Sequence, residues 1–491
     1  IENINKMTKN ELKPAGVFQQ FAKINEIPRQ SKHEEKMIEY LKNWGESHGL
    51  PTKVDATGNV IISKPATPGY EDRKTLILQS HMDMVCQKLP EKEFDFATDA
   101  IQTIVEGEWL RADGTTLGAD DGIGCAIELA ILEATDIEHG PLECVFTRDE
   151  ETQLTGASGM EAGFMTGDWL INLDSEDEGQ VFVSCAGGKT TYATFNITRE
   201  DAPEGYFFIE TSIKGLNGGH SGADIDKKRA NAIKLLARFA YNEMQKTDLR
   251  LVSLNSGSAH NAIPRDGSMT IAVPSNDKET VRADWNIFIT EVEDEYHVTD
   301  NTIQALLQST DAAPAMTKSD TMRIVRALQA VDNGVLNMCQ DEALAWMVET
   351  SSNLAVVETA ADTVSVVTSQ RSNVMSALDN MCNTVKATFE LAGAAVELND
   401  GYPAWKMNAN SKLTQLVSDT YEKLFGKKPE VLGIHAGLEC GLFSERYPQM
   451  DMVSFGPTLR DVHTPAERLH IPTVQMVWDH ILEIMKNIPE K

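Results

Sequence analysis

Residues 75–83 read TLILQSHMD, an apolar strand-like run that gives way at its end to His81-Met82-Asp83. Two more apolar runs end the same way: LECVFT (142–147) leads to Asp149-Glu150-Glu151, and WLINL (169–173) leads to Asp174. Between them, GADDGIG (118–124) sets Asp120 and Asp121 among glycines at the mouth of the helical run GIGCAIELAILEA (122–134). A second helical pattern, HEEKMIEYLKNWGESHGL (33–50), carries Met37, Leu41 and Trp44 on one stripe. Strands alternating with helices argue for an α/β sheet, mostly parallel where helices intervene. In open sheets of this kind the ligand crevice lies at the carboxyl ends of the strands, so these polar residues are expected to converge there.

The texture changes after SCAGGKT (184–190). Residues 188–400 hold polar-alternating strands (YFFIETSIKG, SMTIAV, TVSVVTS) and amphipathic helices (KRANAIKLLARFAYNEM, SNVMSALDNMCNTVKATFELAG), which predicts an inserted α+β domain. HNAIPRDGSMTIAV and SNLAVVETAADTVSVV each lead into a helix, a weak echo that suggests a duplicated β-α module. From 401 onward the α/β pattern resumes: helix KLTQLVSDTYEKLFG, strand EVLGI, a short helix after HAG, strand DMVSFG and the closing helix PTVQMVWDHILEIMKNI. The expected plan is one catalytic domain built from residues 1–187 and 401–491, interrupted by the 188–400 domain.

Composition narrows the function. With 44 Lys+Arg against 74 Asp+Glu, the formal charge of −30 over 491 residues opposes nucleic-acid and anionic-membrane binding. Seven scattered cysteines without a Cys-x-x-Cys pair fit a reducing cytoplasm and neither a disulfide framework nor a thiolate zinc site. The opening IENINKMTKNELK has no apolar leader core, and no run reaches the roughly 18 apolar residues of a membrane span.

Several acids in one crevice repel one another at low dielectric unless they are protonated or share cations. Only Arg148 is interleaved among them, so divalent metal is the economical reading. Imidazole with carboxylates and no thiolate fits zinc, manganese or cobalt, and fits magnesium poorly. One aspartate can bridge two ions roughly 3.5–4 Å apart. Asp83, two residues beyond His81, is placed to accept the second N–H of the imidazole rather than to bind metal. In the Glu-Glu pair, neighbouring side chains at a strand end diverge, so Glu151 is expected as a ligand and Glu150 as the base facing the nucleophilic water. His463, in DVHTPAERLH, offers a last ligand. Each residue also has a plainer reading: Asp120 as a helix N-cap, the glutamates as a solvated pair, His81 as a structural histidine and His463 as an exposed loop residue.

SHMDMV, GTTLGADDGIG, RDEET, NLDSEDEG, NGGHSG, NAIPR, IHAGLECGLF and VHTPAE, in this order, resemble the aminoacyl-histidine dipeptidases (peptidase D, or Xaa-His dipeptidases). These form a branch of the dinuclear-zinc exopeptidases that include peptidase T, carnosinase and glutamate carboxypeptidase. The resemblance spans nearly the whole chain and implies a zinc-exopeptidase-like catalytic domain with an inserted lid. It implies two divalent ions, zinc foremost with cobalt or manganese as alternatives, His81 and Asp174 on one, Glu151 and His463 on the other, and Asp120 bridging. It further implies Asp83 orienting His81, Glu150 as general base, His220 polarising the scissile carbonyl, and a homodimer. Asn261 and Arg371 are candidates for the substrate carboxylate, with a surface salt bridge equally open for Arg371. Glu439 either meets the substrate amine or solvates a helix start. Asp121 stands where relatives often carry Asn, and should only adjust charge near the site.

Three rival motifs fail on spacing. HEEKM (33–37) lacks the second histidine of His-Glu-x-x-His, AGGKTT has Val183 where a phosphate loop needs glycine, and GASGM lacks the serine spacing of a nucleophile elbow. The open readings are a metal-dependent dipeptidase acting on small peptides such as β-Ala-His, an N-acyl-amino-acid amidohydrolase or tripeptidase on the same site, and a catalytically silent binding protein.

Overall fold

The computed structural model describes residues 12–340 and 342–491. The opening residues in which no leader core was found lie, through Glu11, outside that range. The chain divides into two compact units: residues 1–184, 407–433 and 438–491 form one, and residues 185–406 with 434–437 form the other.

The first unit is built on an eight-stranded mixed sheet. Its centre is parallel and runs Leu142–Thr147, Leu76–His81, Trp169–Asn172, Asp451–Ser454. Antiparallel strands flank it, Thr52–Val54 and Val60–Lys64 on one side and Gln180–Cys185 on the other. Only the outermost pair, Thr52–Val54 with Val60–Lys64, is a short hairpin, and strand Glu430–Ile434 completes the eight beyond Gln180–Cys185. Every position of Leu76–His81 and Leu142–Thr147 is buried. Covered on both faces, they read as continuous apolar runs rather than alternating ones.

Helix Ala119–Glu133 packs on Leu76–His81 and against helix Ala15–Ile24. Its side chains from Gly122 through Leu132 are all buried, which explains an apolar pattern with no polar face. Helix Glu35–Ser47 buries the Met37, Leu41, Trp44 stripe. Each such side chain contributes about 1.5–3 kcal/mol of hydrophobic burial. The sheet's central strands end at His81, Thr147 and Asn172, and the polar residues of the three motifs follow at once.

The second unit is an antiparallel sheet backed by helices, and its strand order is symmetric. It runs Gln304–Ser309, Tyr206–Lys214, Gly267–Pro274, Arg250–Ser256, then Val348–Thr359, Thr363–Ser372, Gly187–Asn196, Ala395–Leu398. Each half is a strand, helix, hairpin, helix, strand unit. One half uses helices Ala232–Glu243 and Lys278–Glu295, the other Lys318–Ala330 and Met375–Leu391. The two segments that echo each other in sequence are the hairpin regions of these halves. The first half lies in the chain between the first strand and first helix of the second. All four helices bury apolar side chains, including Leu236, Trp285, Ile324 and Phe389, in one core.

Candidate metal centre

His81, the last residue of its strand, is fully buried. Its Nε2 lies 3.0 Å from Asp120 Oδ1 and 3.6 Å from Asp174 Oδ1. Its Nδ1 faces Asp83 Oδ1 at 3.3 Å, short of an aligned hydrogen bond. Asp83 is itself held by Ser31 Oγ, which donates at 2.7 Å, and by the backbone N–H groups of Glu150 (3.0 Å) and Glu151 (3.3 Å).

Beyond Leu142–Thr147 the backbone turns through Asp149, at φ 51°, into the single helical turn Glu150–Gln153. The hydroxyls of Thr152 and Thr155 donate to the Asp149 carboxylate and hold that turn. The sequence reading had Glu150 and Glu151 diverging at an extended strand end. They diverge instead by a helical step of about 100°. Arg148 donates to Glu34 at 2.6 Å and so does not neutralise the acidic group.

Asp120 is not an N-cap: no helix N–H donates to its carboxylate among the described residues, and Asp121 after it is also non-helical, so the helix starts beyond Asp121. Asp121 takes the capping role, accepting the Gly124 N–H at 3.2 Å, so it does more than adjust local charge. Freed from the helix, Asp120 presents its oxygens to two histidines. Oδ1 faces His81 Nε2 at 3.0 Å and Oδ2 faces His463 Nε2 at 3.1 Å. His463 sits half-exposed in a turn at φ 63°, with Glu151 Oε2 at 2.9 Å from the same nitrogen. Among the described residues three sets of side chains come close enough to hold an ion: His81 with Glu150 and Asp174, His81 with Asp120 and Glu151, and, behind these, the buried trio Glu34, Asp83 and Asp149.

Among the described residues, no Lys or Arg forms an ion pair with Asp120, Glu150, Glu151 or Asp174. Burial, reinforced by Asp174, Glu151 and Glu439 and opposed by His81, raises the Glu150 carboxyl well above its ordinary range. Burial and Asp120 likewise raise Asp174, against the pull of His81. Hydrogen bonds to Asp120 and Glu151 push the His463 imidazole up to about 11. Burial works against charge on Asp120, but the two histidines hold its carboxyl low.

Glu439 begins helix Glu439–Arg446, yet it is buried rather than solvating the helix start. Its Oε2 accepts from Gln79 (2.6 Å) and Thr147 (2.8 Å), and Oε1 has no hydrogen-bond partner among the described residues. Burial pushes its carboxyl up to about 7.

The remaining candidates lie in the second unit. His220 Nδ1 accepts the backbone N–H groups of Gly222 (3.2 Å) and Ala223 (3.1 Å), which puts the proton of the neutral ring on Nε2, so the donor Arg371 Nη2 at 3.4 Å from that nitrogen is a contact and not a hydrogen bond. Burial and the neighbouring Arg371 lower this imidazole to about 4, so it is a neutral donor at physiological pH. Arg371 is 5% exposed, which rules out a surface salt bridge. It donates to Tyr402 Oη (2.5 Å) and Ser221 Oγ (3.2 Å) and has no carboxylate partner among the described residues. Asn261 is exposed, and its carbonyl accepts the Ser221 N–H at 2.8 Å.

Residues 77–487 match Peptidase family M20/M25/M40. The chain belongs to this peptidase family. It is 41% identical over 485 residues to the cytosol non-specific dipeptidase of Escherichia coli K12, covering 98% of this chain and 99% of that protein. The crystal structure of aminoacylhistidine dipeptidase from Vibrio alginolyticus superposes with a TM-score of 0.91 at 43% identity, covering 99% of both chains. A tripeptidase from Staphylococcus aureus shares the fold at a TM-score of 0.55 and 17% identity, over 97% of this chain and 99% of that one.

Four members of these two constellations escaped the sequence reading. Glu467 and Arg29 bind the backbone around Asp120. Tyr402 and His435 surround Arg371, and burial lowers His435 to about 3. Glu467, four residues past His463 in VHTPAE, offered the only cue, because a single acid after a loop ordinarily reads as solvated.

Proposed function

We propose that this chain is a metal-dependent dipeptidase that hydrolyses small peptides, Xaa-His dipeptides among them, in the cytoplasm. The observation that carries the reading is Asp120. Its two oxygens face different histidines within a partly buried group of carboxylates that has no Lys or Arg ion-pair partner among the described residues. An uncompensated set of this kind suits two dications sharing one aspartate.

In this reading His81 and Asp174 would hold one ion and Glu151 and His463 the other, with Asp120 shared by both. Imidazole and carboxylate donors without thiolate favour zinc, with cobalt or manganese as alternatives. When bound, the ions supply electrophilic activation of water and of the peptide carbonyl. Glu150 accepts the proton of the attacking water. Its raised affinity for protons then suits it to pass that proton to the leaving amine. Asp83 orients His81. His220 donates Nε2–H to the carbonyl oxygen, Arg371 and Asn261 receive the substrate carboxylate, and the free oxygen of Glu439 receives the substrate ammonium. The second unit serves as a lid, and the protein works as a homodimer. The named activities of the Escherichia coli and Vibrio relatives support the substrate class.

The test is elemental analysis of the purified protein together with a substrate panel under zinc, cobalt and manganese. Two equivalents of metal and preference for β-Ala-His and Xaa-His over tripeptides and acylated amino acids are expected. Metal-free active protein, or faster cleavage of tripeptides or acyl amino acids, would overturn the reading.

A further inference from the structure

Four consecutive backbone amides converge on one buried carboxylate. Glu467 Oε2 accepts from Leu117 N (2.8 Å) and Gly118 N (3.0 Å), and Oε1 accepts from Ala119 N (2.8 Å) and Asp120 N (3.3 Å). Glu467 is 2% exposed, so these bonds replace water for donors and acceptor alike. On the carbonyl side of the same loop stands Arg29, 1% exposed. Its Nη2 donates to Gly118 O at 2.5 Å, and its Nη1 donates to Asp83 O at 3.0 Å and Met82 O at 3.3 Å.

This arrangement explains the glycine of GADDG. Gly118 has φ 67°, and a Cβ there would lie 2.4 Å from Arg29 Nη2. The two buried charges do not pair with each other. Both oxygens of Glu467 and both Nη groups of Arg29 bond to backbone, while Arg29 Nε finds no acceptor among the described residues, and together the two side chains tie three stretches: the residues after His81, the loop carrying Asp120, and the turn carrying His463.

We infer that Glu467 is a positioning residue that fixes Asp120 between the two histidines by gathering the 117–120 amides, with Arg29 gripping the same loop from its carbonyl side. The inference rests on the dinuclear reading proposed above. Charge-assisted bonds from backbone N–H are roughly twice as strong as neutral ones, and both oxygens are in use. Glu467→Gln tests this because it keeps size and shape but turns one acceptor oxygen into an NH2 that faces two N–H donors.

The experiment titrates Co(II) into metal-free wild type and E467Q, following the visible d–d bands, with hydrogen exchange at the 117–120 amides and apo melting measured in parallel. Expected are at least fivefold weaker Co(II) binding in E467Q with unchanged far-UV circular dichroism, and faster exchange confined to those amides. Weakening of less than fivefold overturns the inference. A shift in apo melting without a shift in Co(II) affinity does the same, because that is what a merely structural role gives. If E467Q fails to fold, wild-type exchange decides: protected 117–120 amides support the role, and unprotected ones overturn it. Wild type that takes up no Co(II) defeats the metal reading itself, a different failure from a wild-type-like E467Q.

Discussion

Asp83 serves His81 and Glu150 at once: one oxygen lies 3.3 Å from the His81 imidazole and also accepts the Glu150 amide at 3.0 Å. A single carboxylate therefore lies against the proposed ligand and holds the backbone of the proposed base. In Asp83→Ala the Glu150 and Glu151 amides lose this acceptor and His81 Nδ1 loses the carboxylate it faces. Partners of metal-bound histidines commonly account for about 10- to 100-fold in affinity or rate. The expected result is a loss of that size in kcat together with weaker zinc binding, read by steady-state kinetics and chelator competition. Unchanged metal affinity would remove Asp83 from the orienting role.

Glu150 and Glu151 are adjacent but are assigned different work. Glu151 lies 2.9 Å from His463, whereas Glu150 makes no ion pair and has its carboxyl raised by burial. Glu150→Gln should lower kcat by roughly 10²–10⁴-fold, the usual span of general acid–base catalysis, with two metal equivalents retained. Glu150 also lies within reach of His81 and Asp174 as a third donor. Loss of one metal equivalent in the variant would reassign it as a ligand.

The α/β class was legible because burial and periodicity agree: the runs at 76–81 and 142–147 are buried at every position, and the 35–47 helix shows one apolar stripe. The gathering of His81, Glu151 and Asp174 was legible because strand ends are predictable places for polar residues, whereas Asp120 at a helix mouth and His463 in a turn each had a plainer reading until the family resemblance was added. The parts not legible depend on backbone, not side-chain type. Asp120 leaves the helix because Asp121 caps Gly124, and Glu467 and Arg29 act on N–H and C=O groups that every residue carries. Nor does sequence reveal that Arg371 is buried without a counter-ion, since arginine is ordinarily a surface residue.

That lack of a counter-ion makes Arg371 testable. Hydrogen bonds to Tyr402 and Ser221 fix its guanidinium but leave its charge uncompensated. A bond between charged partners contributes about 1.5–3 kcal/mol, so Arg371→Met should raise KM for dipeptides by roughly 10- to 100-fold, with a smaller effect on kcat. The variant should also lose the preference for free-acid over carboxamide substrates. A variant that keeps this preference would exclude Arg371 as the carboxylate contact.

His480 gives a stability prediction independent of the active site. It is 3% exposed, its Nε2 donates to Val417 O at 2.9 Å, and its ring lies 5.0 Å from that of Phe455. Burial lowers its imidazole to about 4, against about 6.5 for an unfolded histidine. The folded form binds the proton less readily than the unfolded one, so its contribution is complete above pH 6.5 and is lost as pH falls toward 4. At about 1.4 kcal/mol per unit, roughly 2 kcal/mol should vanish between pH 7 and pH 5. Urea unfolding of wild type and His480→Asn at both pH values, at equal metal content, isolates this share. The wild type should lose about 2 kcal/mol more than the variant over that interval. Equal losses would mean that His480 is protonated inside the folded core.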